Sequence, residues 1–359
     1  RIRDRGAAEA PAARKKGYVA TFFPGVAQPA AAGSVTLGLG NELGGIDVRL
    51  QRSFTATVKG TVTAAEGTPT EINVQLIDPA MPIAYVGVWF RTMKDGRFTF
   101  DGVQPGTYIL RANASLPPTP PDVAGVILTA VSEVTVAADG SAPQPALRLV
   151  RGVQVSGRLA IDTLRGVVDP TKLRVRLEPI STPSEWEMPV WNEPVDAQGR
   201  FVAKGVVPGR FRINVTGLPA GWALSSALFA EREVADHHLI IELDKTYSGV
   251  LRFTDRTAEI AGSLTNPMGG PAPEQTVIVF PEDRTLWLPS SRRIQLVRPD
   301  AEGKYTIRNL PAGDYRVAAV LDPESGIQFD GDFLARLMPL AEAVKLTEGE
   351  RKAHDIRVR

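Results

Sequence analysis

Three histidines, His237, His238 and His354, raise the question of metal or acid–base chemistry first, because imidazole serves both. His237 and His238 are adjacent, so on a strand they point to opposite faces. A metal site needs more convergent ligands than this, and structural or surface roles are expected for all three. Oxygen ligands cluster instead in Asp322-Pro323-Glu324-Ser325-Gly326-Ile327-Gln328-Phe329-Asp330-Gly331-Asp332. There Asp322, Glu324, Asp330 and Asp332 could suit Ca²⁺, although their spacing is not that of an EF-hand and a solvated acidic loop is the competing reading. Five tryptophans, Trp89, Trp186, Trp191, Trp222 and Trp287, could stack on sugars or fill cores. Trp186 and Trp191 lie in a Pro/Glu-rich stretch expected to be a loop, and they are the candidate glycan-binding pair. No Gly-x-Ser-x-Gly, His-Glu-x-x-His or phosphate-loop motif occurs, so no catalytic residue and no cofactor is expected.

Any such site needs a frame. The 359 residues suggest two to four domains, and 33 glycines with 29 prolines favour short strands joined by tight turns. No cysteine is present, which excludes disulfide frameworks and zinc–thiolate sites. A net charge of +1 gives no reason to expect a nucleic-acid partner. Residues 1–17 carry six Arg or Lys against Asp4 and Glu9 and read as a basic tail or linker. No apolar run reaches the length of a membrane-spanning helix.

The frame repeats. Asp95-Gly96-Arg97-Phe98 with Gln104-Pro105-Gly106-Thr107-Tyr108 is followed by Gln198-Gly199-Arg200-Phe201 with Val207-Pro208-Gly209-Arg210-Phe211. The block returns as Glu302-Gly303-Lys304-Tyr305 with Pro311-Ala312-Gly313-Asp314-Tyr315. Gly96, Gly199 and Gly303 stand 103 and 104 residues apart. Each is expected to take a positive φ at a turn that opens a strand, while Gly106, Gly209 and Gly313 mark the next reversal. Each unit also opens with a short strand holding one glycine, at Gly60, Gly157 and Gly262. Alternation such as Leu173, Val175 and Leu177 against Arg174 and Arg176 predicts half-buried strands. One short helix is expected at Phe333–Leu337.

These blocks resemble the carboxypeptidase regulatory-like domain, a transthyretin-like β-sandwich grouped with carbohydrate-binding-like folds. Thr254-Asp255-Arg256-Thr257-Ala258-Glu259-Ile260-Ala261-Gly262, Leu218-Pro219-Ala220-Gly221-Trp222, Ser291-Arg292-Arg293 and Leu346-Thr347-Glu348-Gly349-Glu350 add to the likeness. It extends over nearly all of 18–359 and points to multi-repeat bacterial proteins of the kind common in acidobacteria. The resemblance implies tandem, about seven-stranded Greek-key sandwiches. It implies no peptidase activity, since no zinc-peptidase ligand set is present.

Val35-Thr36-Leu37 with Ile46-Asp47-Val48-Arg49-Leu50 resembles Val344-Lys345-Leu346 with Ile356-Arg357-Val358, the end of a unit. Residues 18–52 therefore read as the tail of an incomplete repeat, with Ile46, Val48 and Leu50 on an orphan assembly strand. Complete all-β sandwiches are expected at 53–151, 152–256 and 257–359, with neighbours in direct contact through short linkers. The expected function is a non-catalytic, secreted, periplasmic or cell-surface structural or adhesive protein. It would self-associate or bind another surface protein, with filament or sheath assembly by strand addition. Carbohydrate binding and service as accessory modules of a larger exported enzyme are the alternatives.

Overall fold

The computed structural model describes residues 15–38, 40–81, 88–93, 95–117, 125–162, 168–180 and 188–358. The chain is all-β, and it divides at Gly152/Val153 into two compact units. The first unit holds one sandwich and the second holds two, all on the same plan.

In the first sandwich the seven strands run Arg52–Ala64, Ile72–Ile77, Val88–Met93, Arg97–Val103, Gly106–Leu116, Val126–Val136 and Ala146–Arg151. The first strand pairs antiparallel with the fourth and parallel with the seventh. The opposite sheet runs third, second, fifth, sixth, all antiparallel. The second sandwich repeats this with Val153–Asp162, Arg174–Pro179, Trp191–Pro194, Arg200–Val206, Gly209–Thr216, Leu239–Ile241 and Tyr247–Thr254. The third uses Ala258–Thr265, Gln275–Pro281, Gln295–Val297, Lys304–Leu310, Gly313–Leu321 and Glu342–Leu346. Its seventh strand is split into Arg351–Ala353 and Ile356–Arg357, both parallel to the first.

The repeated residues have repeated jobs. Gly96, Gly199 and Gly303 have φ of +71°, +73° and +77°, a region that side chains disfavour, and each opens the fourth strand. The aromatic two residues on, Phe98, Phe201 or Tyr305, is buried. In the first two sandwiches its ring lies across the first-strand glycine: a Cβ added at Gly157 would stand 2.7 Å from the Phe201 ring. After Gly106, Gly209 and Gly313 the chain enters the opposite sheet, where Tyr108, Phe211 and Tyr315 are buried. The tyrosine hydroxyls donate back across the reversal, Tyr108 to the Gln104 carbonyl at 2.9 Å and Tyr315 to that of Pro311 at 2.7 Å. Inward positions alternate as the pleat requires: Leu173, Val175 and Leu177 are buried, as are Phe211, Ile213 and Val215. Each such side chain removed from water contributes about 1.5–3 kcal/mol, and both sheets share the gain.

Additions to the plan differ. Lys15–Tyr18 pairs with the first strand of the first sandwich. A hairpin, Ala223–Phe229 and Arg232–Glu233, extends the seventh strand of the second. In the third, the helix Gly331–Leu337 lays Leu334 on the outer sheet face against Ile278, Phe280 and Ala318. Its N-terminus is capped by Asp330, whose Oδ1 accepts the Phe333 N–H at 2.6 Å.

The orphan strand does not form. Residues 40–51 belong to no strand, and Ile46, Val48 and Leu50 are 41%, 43% and 64% exposed. A ladder needs a partner edge, and these residues meet none among the described residues. They form an exposed loop closed at its base, where Val19 N–H donates to Gln51 O at 3.1 Å and Gln51 N–H to Thr21 Oγ1 at 3.2 Å.

Candidate functional site

The tryptophans whose side chains are described, Trp191, Trp222 and Trp287, fall into two kinds. Trp191 was expected in a loop but opens a strand, and it is 6% exposed. Its ring meets Phe211 edge-on at 5.6 Å, and its indole N–H donates to the Lys204 carbonyl at 3.1 Å. Trp191 is thus a core residue and offers no sugar platform, which corrects the expectation for it. Trp186 lies outside the described residues. Trp287 is likewise held, packing edge-on against Phe280 and donating to the Pro281 carbonyl at 2.8 Å. Trp222 differs: it is only half-buried, and its indole N–H has no partner among the described residues.

Trp222 lines a cleft of about 830 Å³ within the second unit, between its two sandwiches. One wall comes from the fifth strand of the second sandwich and the segment beyond it, with Asn214 and Thr216; His237 and His238 follow from the loop before the sixth strand. The other wall carries Ser290, Ser291, Gln295 and Asn309 of the third sandwich. His237 is exposed and His238 half-buried. His354 lies elsewhere: its carbonyl accepts the Tyr305 hydroxyl at 2.6 Å, and its Nε2 stands 3.4 Å from Glu342.

At the cleft edge an ion cluster fixes the two walls. A tight turn at Ser291–Ile294 presents Arg292 and Arg293 just before the third strand. Both grip Asp236, whose Oδ1 accepts from Arg292 Nε at 2.6 Å and whose Oδ2 accepts from Arg293 Nε at 2.8 Å and Nη2 at 2.7 Å. Arg293 Nη1 donates further to the Ala312 carbonyl at 3.0 Å and the Tyr315 hydroxyl at 2.9 Å. Arg292 also donates to the Leu224 carbonyl, and Arg212 to that of Ser290 at 2.9 Å. Burial alone would raise the pKa of Asp236, but hydrogen bonds and charge from Arg292 and then Arg293 outweigh it and hold the carboxyl below its ordinary range. Burial pushes the Tyr315 hydroxyl up to about 12, so it stays protonated as a donor.

Among the described residues no group of three or more His, Asp or Glu side chains is placed to hold an ion. Asp330 is committed to its helix cap, and Asp322, Glu324 and Asp332 stay exposed. The geometry therefore supports an open, hydrogen-bonding cleft with Trp222 and Phe329 among its lining. The Asp236–Arg292–Arg293 cluster was not expected from the sequence. Its signal was an adjacent arginine pair in a short loop, and no local spacing points from that pair to an acid 56 residues away.

No known protein family profile matches the sequence, and no curated protein matches it either. Among solved structures, the chain is similar to the Bacillus anthracis TIE protein at 12% identity and a TM-score of 0.22. That match covers 86% of this chain and 53% of the TIE chain, so the chain spans about half its length. It is similar to the major pilin subunit BcpA of Bacillus cereus at 11% identity and a TM-score of 0.23, over 84% of this chain and 98% of that one. A streptococcal ancillary pilin matches at 9% identity and a TM-score of 0.23, over 85% of this chain and all of that one. At such scores these likenesses carry no argument about function. No helix among the described residues is long and apolar enough to cross a membrane.

Proposed function

We propose that this protein is a non-catalytic, extracellular structural or adhesive repeat protein, and that residues 34–50 join it to another β-sandwich by strand addition. The observation that carries this reading is the contrast between two matching segments. Val344, Leu346 and Ile356 complete the sheets of the third sandwich and are buried there. Their counterparts Val35, Leu37, Ile46, Val48 and Leu50 keep the same apolar alternation but are exposed on a loop closed at its base. An exposed alternating segment gains both backbone hydrogen bonds and apolar burial when it meets an open sheet edge. The fixed joint between the second and third sandwiches suits a load-bearing role, because Asp236 ties the two together through Arg292 and Arg293.

Sedimentation velocity over a range of concentrations, with negative-stain imaging, tests this. Association is expected for the natural chain and not for Ile46→Asp/Val48→Asp/Leu50→Asp, at unchanged Tm. A natural chain that stays monomeric at high concentration, alone and with other β-sandwich surface proteins, would overturn strand addition.

A further inference from the structure

We infer that the cleft around Trp222 binds an oligosaccharide. The proposal gives the adhesive reading above a ligand class; it does not depend on strand addition. At about 830 Å³ the cleft is of the size that holds small ligands. Its charged neighbours sit in ion pairs. Asp236 is shared by Arg292 and Arg293, and Arg212 spans Glu178 at 2.5 Å and the Ser290 carbonyl at 2.9 Å. Two arginines on one aspartate leave this edge of the cleft net positive, so a cation would find no free countercharge there.

Neutral hydrogen-bonding groups also line the cleft. Asn214, Thr216, Ser291 and Asn309 offer amides and hydroxyls across both walls. Trp222 adds an aromatic face and an indole N–H without a partner, whereas Trp191 and Trp287 spend theirs on the Lys204 and Pro281 carbonyls. A sugar ring combines an apolar C–H face with a rim of hydroxyls, and that pairing matches one indole face ringed by neutral hydrogen-bonding groups. The ion cluster holds the walls at fixed spacing, so the site is formed before the ligand arrives, which lowers the ordering cost of binding.

Titration of the full chain with gluco-, manno- and galacto-oligosaccharides of three to five units, followed by tryptophan fluorescence and calorimetry, tests this. Saturable binding of at least one series is expected. Trp222→Ala should weaken it at least tenfold, with Asn214→Ala and Thr216→Val each weakening it several-fold, at unchanged Tm. If Trp222→Ala fails to fold, Trp222→Phe should retain part of the affinity. The proposal is overturned if no series saturates, an acidic oligosaccharide series included, if binding is indifferent to Trp222, or if only peptides bind. Ile46→Asp/Val48→Asp/Leu50→Asp should bind the sugar as the natural chain does. A natural chain that stays monomeric yet binds the sugar would thus remove strand addition and leave this site standing.

Discussion

Arg293 holds Asp236 with two nitrogens on one oxygen, Nε at 2.8 Å and Nη2 at 2.7 Å from Oδ2, while Arg292 takes the other oxygen. Both partners are largely shielded, the Asp236 side chain being 12% and the Arg293 side chain 14% exposed. Screening by solvent is weak there, and removing one member strands the others. Asp236→Asn leaves two arginines facing each other without a countercharge. It is expected to destabilise the joint by about 3 kcal/mol. Urea unfolding should then show the second and third sandwiches separating into two transitions. The pH dependence has a definite sign. Because the folded-state pKa of Asp236 is lowered, its contribution is present above about pH 4, the ordinary aspartate range, and fades as pH falls through the lower folded value. Acid unfolding below about pH 4 should be steeper in the natural chain than in Asp236→Asn.

Gly157 tests the packing of the repeat. An added methyl would press on the Phe201 ring and the Gly249 carbonyl, each 2.7 Å away. Gly157→Ala should cost about 1–3 kcal/mol, read as a lowered urea midpoint. Gly331→Ala is the control: its Cβ meets nothing within 4 Å, so no loss of stability is expected there.

Trp191 separates structural from ligand-binding tryptophans. Trp191→Ala opens a cavity beside Phe211 and removes the indole donor to the Lys204 carbonyl, for a loss of about 3–5 kcal/mol. A Tm near that of the natural chain would show that this ring is not the anchor described.

Asp330 separates a cap from a calcium ligand. Asp330→Ala removes the acceptor for Phe333 N–H and should cost about 1 kcal/mol. Adding Ca²⁺ or a chelator should leave the Tm of the natural chain unchanged, since Asp330 is spent on the helix. A Tm that rises with Ca²⁺ would restore the metal reading.

The repeat was legible in the sequence because each of its marks is local. Gly199 and Phe201 sit two residues apart, so turn and inward-facing ring follow from backbone geometry alone. The same holds for Leu173, Val175 and Leu177, and for the short helix ending at Leu337. Trp191 misled because Pro and Glu around it suggested a loop, whereas pairing with Leu177 made it a strand. Ile46–Leu50 alternates as a strand does, but alternation supplies no partner edge, and within this chain the segment is a loop.

By itself, then, the sequence determined the all-β plan and its three-fold recurrence, because turn chemistry and side-chain period are properties of neighbours along the chain. The tertiary structure alone decided which tryptophan is free, which carboxylate is a cap and which is a clasp. Those outcomes depend on groups such as Asp236 and Arg293, 57 positions apart, that meet only after two separate sandwiches have formed.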